Sequence, residues 1–421
     1  MASHGVAQFI RAARTEEQRQ QDLEKIHRYR QIEGSIRSQA SQGVHDTALF
    51  QLTSKLLRLN PEYYTIWNVR RRCLISGLLS RRSASSSPSR ELPSTSPSAT
   101  TRTLHAASSL SSSAAIPQDR SSPTTGQTGT TADVDEGKES KEVESDAGIL
   151  QSELAFTVPL LLEFPKCYWL WNYRKWILEQ AILRLPTSTA TSIWEAELAL
   201  DSKMLTKDRR NFHAWGYRRH LVAKLETPSL RGRSMAEDEF AYTTKMIRVD
   251  LSNFSAWHNR SRLILRLLQE RGADDEARSA FLEEELNQVR EALNVGPEDQ
   301  SLWYYHRYLI LQLVDRTGKS TIAPGLTIKA RVSYVEREID DIKDFLEDYE
   351  DIKWIYEALL EYTLALRQLN HTGLSNGECN QQDNIQNWLA KLRKLDPMQA
   401  GRWDDVEQRL RSRREAIESD Q

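Results

Sequence analysis

The chain has 421 residues, 57 basic and 59 acidic side chains and a formal net charge of −2, which leaves no electrostatic case for a nucleic-acid or anionic-membrane partner. Its three cysteines, Cys73, Cys167 and Cys379, are odd in number and scattered, so they read as free thiols of a reducing compartment, without a disulfide framework or a zinc pattern. No apolar run approaches the ~18 residues of a membrane helix and the N-terminus lacks a signal-peptide apolar region, so a cytoplasmic protein with no membrane span is expected.

In chain order, the stretch from Thr15 to Gln39 is charged and reads as a helix. Leu49, Leu52, Leu56 and Leu59 then recur at spacings of three and four, the stripe of an amphipathic helix, and Asn60-Pro61 ends it because proline supplies no backbone donor. After a short polar turn, Trp67 opens a second helix with Arg70 one turn on. The same unit returns at Trp171 with Arg174, Trp215 with Arg218, Trp257 with Arg260, and Trp303 with His306 and Arg307. The last three intervals are 44, 42 and 46 residues, the period of a two-helix repeat. The first interval, 104 residues, is one period plus an insertion of roughly 60.

That insertion, residues 83–146, is dominated by Ser, Thr, Pro, Gly and Ala. It has too little apolar surface to offset a backbone ordering entropy of about 1–2 kcal/mol per residue, so disorder is expected. A tolerated loop between two repeats explains it, with a phosphorylated regulatory segment as the alternative. The chain thus divides into an N-terminal helix and first repeat (1–82), the insertion (83–146), and the remaining hairpins with a C-terminal cap (147–421).

The later first helices show the same stripe: Phe240, Thr244 and Ile247 before Asp250, and Leu282, Leu286, Val289 and Leu293 before Gly296-Pro297. A further pair is expected at Val332–Glu350 and Asp351–Leu369, then a Gly- and Asn-rich loop over 371–383. A last pair follows at Ile385–Leu395 and Ala400–Arg411, where Trp403 echoes the repeat tryptophan. No strand alternation appears, so the fold class is all-α. Trp and Arg three apart share one helical face, which suits an indole filling the gap between hairpins and a guanidinium reaching carbonyls or a carboxylate nearby. Function is more readily placed in the turns ahead of each Trp.

Catalytic motifs are wanting. Gly318-Lys319-Ser320 has Leu313 where a phosphate-binding loop needs its first glycine, and no strand precedes it. The nine histidines, His4, His27, His45 and His258 among them, lack partners at metal-ligand spacing.

The turns are specific enough to carry a resemblance. Asn60-Pro61-Glu62-Tyr63-Tyr64-Thr65-Ile66-Trp67-Asn68-Val69-Arg70-Arg71, Phe164-Pro165-Lys166-Cys167-Tyr168-Trp169-Leu170-Trp171-Asn172-Tyr173-Arg174 and Asp208-Arg209-Arg210-Asn211-Phe212-His213-Ala214-Trp215 resemble the protein prenyltransferase α-subunit repeat. His4-Gly5-Val6, Tyr168-Trp169-Leu170-Trp171-Asn172 and Leu395-Asp396-Pro397-Met398-Gln399-Ala400 incline the likeness toward the α subunits of type II, or Rab, geranylgeranyltransferase, in the compact form that lacks the leucine-rich and immunoglobulin-like domains of animal versions.

The resemblance implies a right-handed superhelical solenoid of α-helical hairpins wrapped around a separate β subunit, an α-α barrel holding the lipid and the catalytic zinc, so that this chain holds no cofactor and no metal itself. It further implies transfer of geranylgeranyl from geranylgeranyl diphosphate to C-terminal cysteines of Rab GTPases delivered by a Rab escort protein. By motif, Lys166, Tyr168 and His213 match the α-subunit groups near the diphosphate, while Phe212 stands where relatives often carry tyrosine. Two alternatives stand beside this: the α subunit shared by farnesyltransferase and type I geranylgeranyltransferase, and a non-enzymatic helical-repeat adaptor, whose TPR form has a 34-residue unit without these turns.

Overall fold

The start and stop chemistry of the sequence sets the helix ends. In the computed structural model, which describes residues 15–80, 132–314, 321–370 and 378–419, Thr15 and Gln18 form a reciprocal capping box ahead of α1 (Glu16–Ser41). The Asp46 carboxylate accepts the Leu49 N–H at 2.8 Å to start α2 (Thr47–Leu59). Then come α3 (Tyr64–Cys73), a π-helical turn at Leu74–Leu78, α4 (Ala132–Glu163), α5 (Tyr168–Arg184) and α6 (Thr187–Lys207). They are followed by α7 (Phe212–Leu225), α8 (Ala236–Val249), α9 (Phe254–Glu270), α10 (Asp275–Val295) and α11 (Gln300–Val314). Last are α12 (Ile328–Asp348), α13 (Lys353–Asn370), α14 (Glu378–Leu395) and α15 (Ala400–Ser419). No strand occurs among the described residues, and the fold is all-α, built of helical hairpins. No described helix is long and apolar enough to cross a membrane.

The chain forms two compact units, residues 1–193 and 194–421. The first contains the α2/α3 and α4/α5 hairpins. The second contains the C-terminal part of α6 with α7, then α8/α9, α10/α11, α12/α13 and α14/α15.

Each tryptophan plays one local part five times. Its indole N–H donates to the backbone carbonyl six residues upstream: Trp67 to Pro61 at 2.8 Å, Trp171 to Pro165 at 3.0 Å, Trp215 to Arg209 at 2.8 Å, Trp257 to Leu251 at 2.8 Å and Trp303 to Pro297 at 2.6 Å. The turn ahead of the second helix is thereby closed onto that helix. The ring packs forward as expected, Trp67 against Tyr173 and Trp257 against Tyr305, each pair with centroids 4.5 Å apart.

The base three residues on is buried, and at Arg70, Arg218, Arg260 and His306 it reaches the first helix of the next hairpin. Arg70 forks onto Glu153 at 2.6 and 2.7 Å, Arg218 onto Glu239 at 2.9 and 2.6 Å, and Arg260 onto Glu285 at 2.8 and 2.5 Å. His306, with Nε2 3.0 Å from Glu338, takes the same place. Hydroxyls of the preceding helix fill the remaining donors, as where Arg70 Nη1 meets Thr53 at 2.9 Å and Ser54 at 2.7 Å. Two of these acceptors also take a phenol from their own hairpin, Tyr173 donating to Glu153 and Tyr305 to Glu285, and Tyr217 donates likewise to Glu197. Burial, then the Glu153 carboxylate, pushes the Tyr173 phenol well above its usual range, so it stays a donor.

Three expectations shift. The insertion ends earlier than 146, because α4 begins at Ala132. Asp146 is a buried anchor that accepts from the Ser80 N–H at 2.9 Å and the Ser80 hydroxyl at 2.7 Å, and Arg184 donates to the Ser80 carbonyl at 2.7 Å. Ser/Thr-rich composition, averaged over a window, hides such an anchor at its edge. Residues 83–131 lie outside the described residues, as do His4 and Gly318-Lys319-Ser320. In the loop expected over 371–383, helix resumes at Glu378, and 371–377 fall outside the described residues. In the α12/α13 pair Tyr356 takes the tryptophan's place, its hydroxyl 2.9 Å from the Glu350 carbonyl, again six residues upstream.

Removing one partner of a buried ion pair leaves an uncompensated charge, at a cost of about 3–5 kcal/mol, whereas an apolar pair of similar volume is often neutral. Arg260→Ala is therefore expected to lower unfolding stability by about that amount, and Arg260→Met with Glu285→Leu to recover most of it once Tyr305→Phe removes the phenol that would otherwise lose its acceptor; equal losses in Arg260→Ala and the triple variant, by chemical denaturation, would show that a stranded charge is not what the single variant suffers.

Asp201 offers the opposite test. It stands fourteen residues ahead of Trp215, where three of the other four hairpins carry Thr53, Thr157 and Thr243 and the last carries Val289. Its carboxylate is buried, lies 3.8 Å from Arg218, and has no hydrogen-bond partner on either oxygen. Burial, reinforced by Glu197 and Glu239 against the pull of Arg218, raises its pKa well above the usual range. The folded state then holds a proton that the unfolded chain releases, so stability falls as pH rises through that window. Asp201→Thr should stabilise by about 1–3 kcal/mol at neutral pH, with the gain shrinking toward pH of about 4. Denaturation curves at both pH values decide it; a gain that does not depend on pH would remove the titration account.

Candidate functional site

With indoles and guanidiniums consumed inside the stack, the turns leading into the second helices are what the repeats leave for chemistry. Between α4 and α5 the chain turns at Phe164–Cys167: the Phe164 N–H returns to Leu160 O at 2.7 Å, the Cys167 N–H to Phe164 O at 3.0 Å, and Trp171 holds Pro165. Lys166 occupies this turn with an exposed side chain. Tyr168, the first residue of α5, is about half exposed and meets Trp169 edge-on at 5.2 Å; the other neighbour of Trp169 is Tyr64, also 5.2 Å away. A cation thus sits two residues ahead of an aromatic cluster, at the positive end of a helix dipole.

In the second unit the equivalent turn precedes α7. Asn211 is buried and caps the helix, its Oδ1 accepting from the His213 N–H at 3.0 Å and the Ala214 N–H at 3.3 Å. His213 is half-buried against Phe212, ring centroids 4.0 Å apart. Arg210, in the place Lys166 takes in its own turn five residues before the tryptophan, is engaged by Asp250 through two bonds of 3.0 and 2.9 Å. Lys166 and Tyr168 therefore share one turn of the first unit, and His213 lies in a turn of the second.

Three residues ahead of four of the five repeat tryptophans stands an aromatic at least half exposed, Tyr64 and Tyr168 in the first unit and Phe212 and Phe254 in the second, while Gln300 takes that place ahead of Trp303. Such rings in register suit a partner surface better than solvent. Cys73 and Cys167 do not compete for a chemical role, since burial pushes their thiols up to about 11. Among the described residues no group of three or more His, Cys, Asp or Glu side chains is placed to hold a metal ion.

The protein prenyltransferase alpha subunit repeat matches at residues 47–76, 150–181, 194–225, 236–267 and 282–313, the five hairpins that carry the indole-to-carbonyl bond. This chain belongs to the protein prenyltransferase alpha-subunit family. Relatives on that side include the geranylgeranyl transferase type-2 subunit alpha of Saccharomyces cerevisiae, 29% identical over 294 residues, 70% of this chain and 68% of that one. The Dictyostelium discoideum subunit of the same name is 26% identical over 399 residues, 93% of this chain and 95% of its own. That of Schizosaccharomyces pombe is 27% identical over 224 residues, 52% of this chain and 62% of its own.

The matched repeats contain Lys166, Tyr168 and His213. Sequence reasoning missed the Asn211 cap, the Arg210–Asp250 fork and the tryptophan's own carbonyl. The signal was present in the turns: Pro61, Pro165 and Pro297 each stand six residues ahead of a tryptophan.

Proposed function

We propose that this prenyltransferase alpha subunit is the α chain of a heterodimeric type 2 geranylgeranyltransferase, which transfers geranylgeranyl from geranylgeranyl diphosphate to C-terminal cysteines of Rab GTPases. The observation that carries the reading is the five-fold repeat match together with relatives that bear that name, one of them aligned along nearly the whole chain. The partner is a β subunit, with a Rab escort protein presenting the Rab, in the cytoplasm. The zinc that activates the acceptor thiol belongs to the β subunit, and this chain's residues act on the diphosphate side of the reaction.

In that reaction the allylic C1–O bond breaks, its electron pair stays on the diphosphate oxygen, and diphosphate leaves as a C–S bond forms with loss of the thiol proton. Negative charge grows on the leaving group. Lys166, free of the carboxylate fork that occupies Arg210, supplies a cation to that charge, and the α5 N-terminus adds oriented N–H groups. The His213 imidazole donates a single hydrogen bond, and Tyr168 offers a phenol beside the Lys166 turn. Water partly excluded at a subunit seam makes each of these worth more than at a free surface.

Lys166→Ala is expected to slow prenyl transfer by a factor on the order of 10² while heterodimer assembly persists, with His213→Ala acting the same way more weakly. Single-turnover transfer at saturating lipid is the measurement; an unchanged rate would return Lys166 to an ordinary turn lysine.

The exposed aromatics make a second prediction. Expressed alone, the chain should self-associate, and co-expression with a type 2 β subunit should yield a defined heterodimer by size-exclusion chromatography with light scattering. A monodisperse monomer indifferent to that β subunit would sink the reading.

A further inference from the structure

We infer that Asn253, in the turn ahead of α9, is a positioning residue that holds the His213 turn in place from the neighbouring hairpin; this rests on the reading of His213 as a diphosphate-facing group. Asn253 is fully buried and uses both ends of its amide. Its Oδ1 caps α9, accepting the Ala256 N–H at 3.1 Å, and its Nδ2 donates to the Arg209 carbonyl at 3.0 Å. That carbonyl is also the acceptor of the Trp215 indole at 2.8 Å. Two donors on one oxygen use both of its lone pairs and fix the plane of the Arg209–Arg210 peptide. Two residues on is Asn211, the cap that receives the His213 N–H. The route from Asn253 to His213 is therefore one hydrogen bond, one stiff peptide and one cap.

The first unit uses the same position differently. Cys167, four residues before Trp171 as Asn253 is before Trp257, places its sulfur 3.5 Å from the Pro61 carbonyl that Trp67 also meets. A thiol is a weak donor and an amide a strong one, so the firm version of the link secures the turn that leads to His213. The Arg210–Asp250 fork joins the same two turns, but it is largely exposed on the arginine side and contributes less. Displacement of a reacting contact by about 1 Å can lower a rate by as much as 10²-fold, so a small loosening of this turn is measurable.

The test uses the heterodimer with its β subunit. Asn253→Ser keeps a capping oxygen for the Ala256 N–H but is too short to reach Arg209. Single-turnover transfer at saturating geranylgeranyl diphosphate is measured for Asn253→Ser, His213→Ala and the double variant. Asn253→Ser should be slower by about 10-fold, and the double variant no slower than His213→Ala, because a residue that acts through another has nothing left to act on. Additive losses, or a wild-type rate in Asn253→Ser, overturn the inference alone. A wild-type rate in His213→Ala removes the reading of His213 and this inference with it. Should Asn253→Ser fail to assemble, Asn253→Asp, which keeps the cap and sets a second acceptor against the Arg209 oxygen, is put through the same cycle with the same outcomes.

Discussion

A guanidinium cannot stay buried without a carboxylate, and the hairpins of this chain are organised around that constraint. Arg70, Arg218 and Arg260 are nearly inaccessible, and each finds its glutamate only on the first helix of the following hairpin. Such pairs contribute little net stability, since desolvation offsets most of their attraction, but a slipped register would strand both charges. The apolar packing around the tryptophans supplies the gross driving force. The ion pair decides which of many apolar contacts is the correct one. Aromatic faces tighten the choice: Arg70 lies 3.9 Å from the Phe50 centroid, Arg218 3.4 Å from Tyr242 and Arg260 3.8 Å from Phe240.

Because this architecture consumes the tryptophan and the base, it frees the turn. Closing each turn with an indole-to-carbonyl bond fixes the backbone without using the side chains five, three and two residues ahead of the tryptophan. Those are the positions of Lys166, Tyr168 and His213. The repeat can therefore vary them from hairpin to hairpin: where Arg210 is neutralised by Asp250, Lys166 stays exposed. Scaffold and site are separated by position within one repeat, and the fold tolerates change at the site.

What could be read from the sequence follows from this separation. Trp-x-x-Arg and the apolar stripes are local patterns, so the helices and hairpins emerged with nearly correct ends. The family turns placed Lys166, Tyr168 and His213 as candidates. The partner of each arginine was harder to see. Glu153, Glu239 and Glu285 stand eighteen residues ahead of Trp171, Trp257 and Trp303, a spacing that means nothing until two helices fold back on each other. Asp146 was lost for a related reason: its partner Ser80 lies across the whole insertion. Tyr356 escaped because a phenol performs the indole's task, and a search for tryptophan passes over it.

The ends of the pattern obey the same physics as its middle. Leu49 stands eighteen residues ahead of Trp67 where the later hairpins have glutamate, and it is fully buried; no repeat arginine precedes it to need an acid. At the other end, Leu359 stands three residues after Tyr356 in the place of the base, and Ile385 eighteen residues before Trp403 in the place of the acid, both fully buried. The base and the acid are both replaced by apolar residues here. Losing either alone would strand a charge, whereas exchanging both for apolar side chains is close to neutral, so the junction of α13 with α14 keeps its packing without the pair. Trp403 fits this simplified end: it is buried like its counterparts, but its indole N–H has no hydrogen-bond partner. Buried charge is thus used where hairpin must recognise hairpin in a repeating series, and is replaced by apolar contact where the series stops.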